Sequence, residues 1–176
     1  MADIIIAGFG GQGVLVLGQM ITYSGMIEDK AVSWFPSYGP EQRGGTCNCS
    51  VVIAEEEIGS PLVTVPTTAI VMNAPSFDRF EPTVGKDGLL IYNSSLIDKK
   101  SERDDIRVIA VPANEIAEEL GNARVANMVL LGTLIEATNV VKTESVEEAL
   151  KNVLSERHHD LIPLNMQALE RGRAYQ

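Results

Sequence analysis

The sequence is poor in cations, in cysteine and in long apolar runs. Fourteen Lys and Arg stand against 24 Asp and Glu, for a net charge of −10. Before Arg79 the only basic residues are Lys30 and Arg43. A nucleic-acid surface needs clustered cations to displace counterions, and an anionic membrane attracts cationic faces, so neither is expected as a partner. The two cysteines, Cys47 and Cys49, fall short of the four of an iron–sulfur cluster and of the paired motifs of a structural zinc site. No metal site is expected. In a strand, C-x-C spacing puts both thiols on one face with Cα atoms roughly 7 Å apart, a poor geometry for a disulfide. They read as small residues of a reduced core. No apolar run approaches the ~18 residues that would span a bilayer. The opening MADIIIAGFG has an acid at position 3 and no basic start, so a signal peptide is not expected. These absences together predict a soluble, cytoplasmic protein.

What is present has ordinary globular proportions, 45% hydrophobic and 22% charged. A chain of 176 residues predicts a single domain spanning 1–176. DIIIA (3–7) is a β-branched run suited to a strand buried on both faces. VLVLGQMITYSG (14–25) reads as a helix apolar nearly all round, hence buried, with Gly25 as its stop. Strands are predicted at 31–35, 46–54, 68–73, 89–95 and 106–113, and a short helix at 74–80. Two prolines and three glycines make 36–45 a loop. Helices are predicted at 114–121 with Asn114 as cap and Gly121 as stop, at 126–138, from a Ser145–Glu148 capping box, and from 164 onwards. Strands alternating with helices give an α/β fold: a Rossmann-like three-layer arrangement with a mixed, mostly parallel sheet flanked by helices. The close spacing of the middle strands predicts that part of the sheet is antiparallel.

After the first strand comes GFGGQG, with G-x-G-x-x-G at Gly8, Gly10 and Gly13. A strand running through glycines into a helix suits an anion, because the helix start offers unpaired N–H groups and partial positive charge. The NAD-binding version also needs an acid about 20 residues on, to hold the ribose hydroxyls. That position falls in Ala31–Phe35, which has none; Glu28 and Asp29 come too early. The turn is therefore read as an anion or partner contact, or as a tight turn with no ligand of its own. Gln12 stands where the helix opens and can bond a neighbouring group or act as a cap.

SYGPEQRGG (37–45) then gathers Tyr38, Glu41, Gln42 and Arg43 in a loop stiffened by proline. In a doubly wound sheet this loop and the glycine turn share the carboxyl edge and can face one crevice. Arg43 can bind a phosphate or carboxylate bidentately, or pair internally with an acid such as Glu41. His158 and His159 adjoin a helix end and read as solvated or dipole-satisfying side chains. No catalytic residue is assigned.

GFGGQGVLVLGQ followed by SYGPEQRGG and by I-G-S-P (58–61) resembles the gamma subunit of the 2-oxoacid:ferredoxin oxidoreductases, which include pyruvate, 2-oxoglutarate and branched-chain 2-oxoacid enzymes. The resemblance continues through ARVANMVLLGTLIEA (123–137) and LNMQALERG (164–172). One departure is CSVVIAEEEI, which lacks an arginine often carried by that strand. The resemblance implies a complex that oxidatively decarboxylates a 2-oxoacid to an acyl-CoA and passes electrons to ferredoxin. It implies alpha, beta and delta partner subunits, thiamine diphosphate with magnesium, iron–sulfur clusters and coenzyme A, with no cofactor held by this chain alone. Among the acids it leans towards 2-oxoglutarate. The implied contact surface for coenzyme A phosphates or partner subunits comprises Gly8, Gly10, Gly11, Gln12, Gly13, Tyr38, Glu41, Gln42 and Arg43. The isolated chain is expected to be able to homodimerise through surfaces meant for partners. The alternatives are a stand-alone nucleotide- or CoA-binding module, which predicts measurable ligand binding by the isolated chain, and a purely structural subunit.

Overall fold

The computed structural model describes residues 1–38 and 45–175, and the backbone but not the side chain of Tyr38. In chain order the elements are β1 (Ala2–Phe9), α1 (Val14–Ile27), β2 (Ala31–Tyr38), β3 (Thr46–Ala54), β4 (Thr68–Val71), α2 (Ala74–Phe80), β5 (Leu89–Asn93), β6 (Arg107–Val111), α3 (Ala113–Glu119), α4 (Ala126–Thr138), α5 (Thr143–Val153) and α6 (Ile162–Arg173). The strands form one six-stranded sheet in the order β2-β3-β1-β4-β5-β6. β1, β4, β5 and β6 run parallel, whereas β3 is antiparallel to both β1 and β2.

Strand alternation divides the core in two. Ile4 and Ile6 of β1 join Cys49, Val51 and Ile70 beneath α1, α3, α4, α5 and α6. Ile5 and Ala7 point the other way, to a smaller cluster with Phe77 and Phe80 of α2. The isoleucine run is thus buried on both faces, as a strand interior to a layered sheet must be. Helices α4 and α6 cross with backbone touching backbone: a Cβ at Gly132 would run into the Leu169 carbonyl, and one at Gly172 into that of Val129. Thr133 Oγ1 donates to the Gly172 carbonyl at 3.0 Å across the same crossing.

Several local expectations are revised. Gly25 does not stop α1, which runs on to Ile27; a Cβ there would lie 2.7 Å from Val32 Cγ1, so the glycine lets helix and β2 close up. Pro36 does not end the second strand, because β2 is the sheet edge and an edge proline forfeits no ladder bond. α3 starts at Ala113 rather than on an Asn114 cap, and Asn114 instead accepts a hydrogen bond from Asn93. α5 starts at Thr143, so Ser145 is a buried first-turn residue rather than its cap. It faces Glu28, whose carboxylate accepts the Lys142 N–H at 2.6 Å and meets Lys30 Nζ at 3.0 Å. Burial raises the Glu28 pKa, but the bonds from Lys142, Ser145 and Lys30 outweigh it and hold the group below its ordinary 4.5.

The expectation for α1 fails on one side only. Its inner face is buried by Leu17, Met20 and Ile21, but Val16, Tyr23 and Met26 are 37%, 38% and 54% exposed. None of its 14 residues is charged. Three apolar side chains of α1 therefore face outward, with Val16 beside the glycine turn.

Candidate functional site

The glycine turn is built by its neighbours. Gly8 is the penultimate residue of β1, and a Cβ there would lie 2.6 Å from Gln12 Oε1 and 3.0 Å from Met72 Cβ. Gln12 folds back under the turn: its Oε1 accepts the Phe9 N–H at 2.6 Å and its Nε2 donates to the Met72 carbonyl at 3.1 Å. The amide stitches the end of β1 to the chain leaving β4. Gly11 and Gly13 have φ of 99° and 79°, a region where any other residue is strained. Gly13 also has Asn127 pressed against it, with Nδ2 2.5 Å from where a Cβ would stand. Gly11 has open space at the corresponding position. Beyond Gly13, α1 begins without an acid in its first turn or a side-chain cap, so its N–H groups face outward with their partial positive charge.

The second loop leaves the sheet at the same edge. Tyr38 at the end of β2 pairs with Cys47, and Cys47 pairs with Gly8. The Gly10 N–H donates to the Gly45 carbonyl at 3.1 Å, tying the returning chain to the turn. Between them lies a hollow of about 590 Å³ lined by Phe9, Gly10, Gly11, Val14, Val16 and Cys47 among others. Gly8, Gly10, Gly11, Gln12 and Gly13 are thus together with the backbone of Tyr38. Glu41, Gln42 and Arg43 lie outside the described residues. Cys47 and Cys49 share the inner face of β3 as free thiols. Burial pushes the Cys49 pKa up to about 12, which makes it a packing residue rather than a nucleophile. His158 and His159 bond locally, to Ser155 Oγ and the Leu154 carbonyl, both at 3.1 Å.

A second, more polar cleft of about 250 Å³ opens on the β4 side of the turn. Gly11 and Gln12 form one wall, Asn93 and Asn114 another, Arg124 and Asn127 the third, over Met72 and Leu130. Asn93 ends β5 and is 2% exposed. Its Oδ1 accepts the Ser95 and Ala113 N–H groups, both at 3.2 Å, and its Nδ2 donates to Asn114 Oδ1 at 2.8 Å. Asn127 opens α4 and donates to the Gly13 carbonyl at 3.4 Å. Sequence reasoning missed these four residues. The available signal was Asn127, the one strongly polar residue in the apolar first two turns of α4.

Comparison with known proteins adds the lineage. The model of the family described as pyruvate ferredoxin/flavodoxin oxidoreductase matches residues 3–175. The ketoisovalerate oxidoreductase subunit VorA of Methanothermobacter marburgensis is 40% identical over 95% of this chain and 35% of its own length. This chain therefore spans about a third of that relative. The 2-oxoglutarate synthase subunit KorC of the same organism is 37% identical over 85% of this chain and 84% of its own. The crystal structure of the keto/oxoacid ferredoxin oxidoreductase gamma subunit from Geobacter sulfurreducens superposes with a TM-score of 0.81 at 26% identity, covering 98% of this chain and 96% of that one. With a strand, turn and helix of this geometry and a family match over nearly its whole length, the chain belongs to the pyruvate ferredoxin/flavodoxin oxidoreductase family.

Proposed function

We propose that the chain, acting as one domain over residues 1–176, is the gamma subunit of a 2-oxoacid:ferredoxin oxidoreductase. The complex decarboxylates a 2-oxoacid oxidatively, transfers the acyl group to coenzyme A and passes the electrons to ferredoxin. Alpha, beta and delta subunits supply thiamine diphosphate, magnesium and the iron–sulfur clusters. The observation that carries the reading is the outer face of α1: Val16, Tyr23 and Met26 are exposed in a helix without a charge, in a chain of net charge −10. Exposed large apolar side chains on an uncharged helix face are the mark of a surface that another subunit covers.

The glycine turn and the Tyr38–Arg43 loop are proposed to meet coenzyme A phosphates or a partner subunit. Support comes from the shared sheet edge, the Gly10–Gly45 hydrogen bond and the open space over Gly11. Gln12 has one amide hydrogen left for such a contact after its bonds to Phe9 and Met72. The neighbour of β1 on this side is antiparallel β3, whose first residue at the turn is Thr46. Among the described residues no acid stands at the strand ends beside the turn, which favours this reading over NAD. For the acid, 2-oxoglutarate is supported by the likeness to KorC at matching length. Ketoisovalerate is the second reading, favoured by the higher identity to VorA. The test of the loop is Arg43→Ala in the reconstituted complex, where the KM for coenzyme A is expected to rise or assembly to weaken. Unchanged coenzyme A affinity together with unchanged assembly removes the loop from the site.

A further inference from the structure

The two faces of the sheet are covered unequally. On the face of Ile4 and Ile6, β3 adds Cys49, Val51 and Ile53 to the core beneath the helices. On the other face the smaller cluster draws on β1, β4, β5 and α2, and among the described residues none of β2 or β3 belongs to it. Register fixes what stands there. Ser50 pairs with Ile5 of that cluster, and along β2 Ser33 stands opposite Val52, Phe35 opposite Ser50 and Ser37 opposite Asn48. Phe35 is 45% exposed, while its neighbour Trp34 turns the other way, to Gly18 of α1.

This face is unlike an ordinary wet one. Neither β2 nor β3 contains a charged residue, in a chain that is 22% charged. Edge strands that face water are commonly protected by charge, and β2 is an edge without any. Pro36 blunts its outer ladder, since it has no N–H to give to an added strand. The surface left open is therefore the face rather than the edge.

One end of the face carries a rim. β3 ends beside the start of β1, across the sheet from the glycine turn. The chain then runs through Glu55, Glu56 and Glu57, all exposed and in no ion pair among the described residues. Next comes I-G-S-P (58–61), which has no part in the turn or its clefts. Leu62 and Val65 follow, each 62% exposed, around a hollow of about 280 Å³ that Val52 also lines.

We propose that the second face of β2 and β3, with the 55–65 loop as its rim, docks another subunit of the complex. That subunit presents an apolar pocket to Phe35 and Lys or Arg side chains to Glu55, Glu56 and Glu57. An aromatic anchor in uncharged surroundings with charge at the margin is how interfaces are commonly laid out. Charge selects the occupant. A second copy of this chain has no base on β2, β3 or the 55–65 loop to meet those acids, and like charges brought together across an interface repel. The proposal rests on the chain's working as a gamma subunit, and it assigns the side of the sheet away from α1.

The experiment measures binding of the labelled chain to its co-purified partner subunits over a range of salt. The variants are Phe35→Lys, Phe35→Leu, Leu62→Lys and the triple Glu55→Lys/Glu56→Lys/Glu57→Lys. The triple Glu144→Lys/Glu147→Lys/Glu148→Lys, on exposed positions of α5, is the control. Circular dichroism establishes that each chain is folded, and the loop variants carry the test if Phe35→Lys is not. Phe35→Lys, Leu62→Lys and the 55–57 triple are each expected to weaken binding roughly tenfold or more. Phe35→Leu should recover most of the loss, and the control should bind as the parent does. Parent binding should weaken as salt rises, and the 55–57 triple should flatten that slope. Parent-like binding by all the folded face and rim variants overturns the proposal. So does a dimer of the isolated chain that Phe35→Lys dissolves, because the occupant is then a second copy. Loss of assembly in Tyr23→Lys/Met26→Lys without loss in these variants removes this surface and leaves the gamma-subunit reading standing. A parent chain that binds none of the partner subunits overturns both.

Discussion

Gln12 decides the shape of the turn. One amide closes the loop onto Phe9 and ties it to Met72, so a single side chain orders the start of α1 against β4. Gln12→Ala removes both bonds and leaves the Met72 carbonyl short of a partner. The expected cost is about 2 kcal/mol, or roughly 4–8 °C in Tm for a domain of this size, read by thermal denaturation. Sequence reasoning found this residue from its place at a helix opening beside glycines. Its partner 60 positions away was not legible, because side-chain to backbone bonds across a sheet leave no periodic trace. Asn127 was hidden for the same reason: its contact with Gly13 joins residues 114 positions apart.

Elements were legible where hydrophobic period and length agreed. β1, α2 and α4 follow from apolar runs bounded by glycine, asparagine or proline, and Gly121, with φ 86°, closes the α3 region as its sequence implies. Boundaries failed where packing overrode local chemistry. Pro36 stays in β2 because the strand is an edge, and Gly25 stays in α1 because Val32 needs the room. Ser145 faces Glu28 rather than capping its helix, in a cluster that joins the end of α1 to the start of α5. The Glu28 pKa is held below 4.5 in the folded chain. Its contribution is therefore present above the unfolded value and is lost as pH falls through the folded one. Glu28→Gln is expected to lower stability at neutral pH and to flatten its decline below about pH 4.5. Urea unfolding from pH 7 to pH 3 reads this; parallel curves for the two proteins contradict it.

At the scale of the molecule, shape and charge argue for dependence on other chains. The core is complete beneath the sheet, yet α1 presents Val16, Tyr23 and Met26 to the outside, Val16 beside the glycine turn and the others farther along the helix. A helix apolar on all sides reads as buried from sequence alone, and a partner covering the exposed side chains, as proposed, would reconcile the two. The uncharged face of α1 suits a protein interface, whereas the scarcity of cations in the chain disfavours nucleic acid and anionic membranes. The family assignment was legible in the resemblance carried by GFGGQG and SYGPEQRGG at their spacing. The measurement that tests the account most directly is 2-oxoacid- and coenzyme A-dependent reduction of ferredoxin, by this chain alone and after addition of its partner subunits. Turnover is expected only in the assembled mixture, and it should fail when Tyr23→Lys and Met26→Lys charge the α1 stripe of a chain that remains folded by circular dichroism. Complete turnover by the isolated polypeptide, or full activity from a complex carrying the charged stripe, contradicts it.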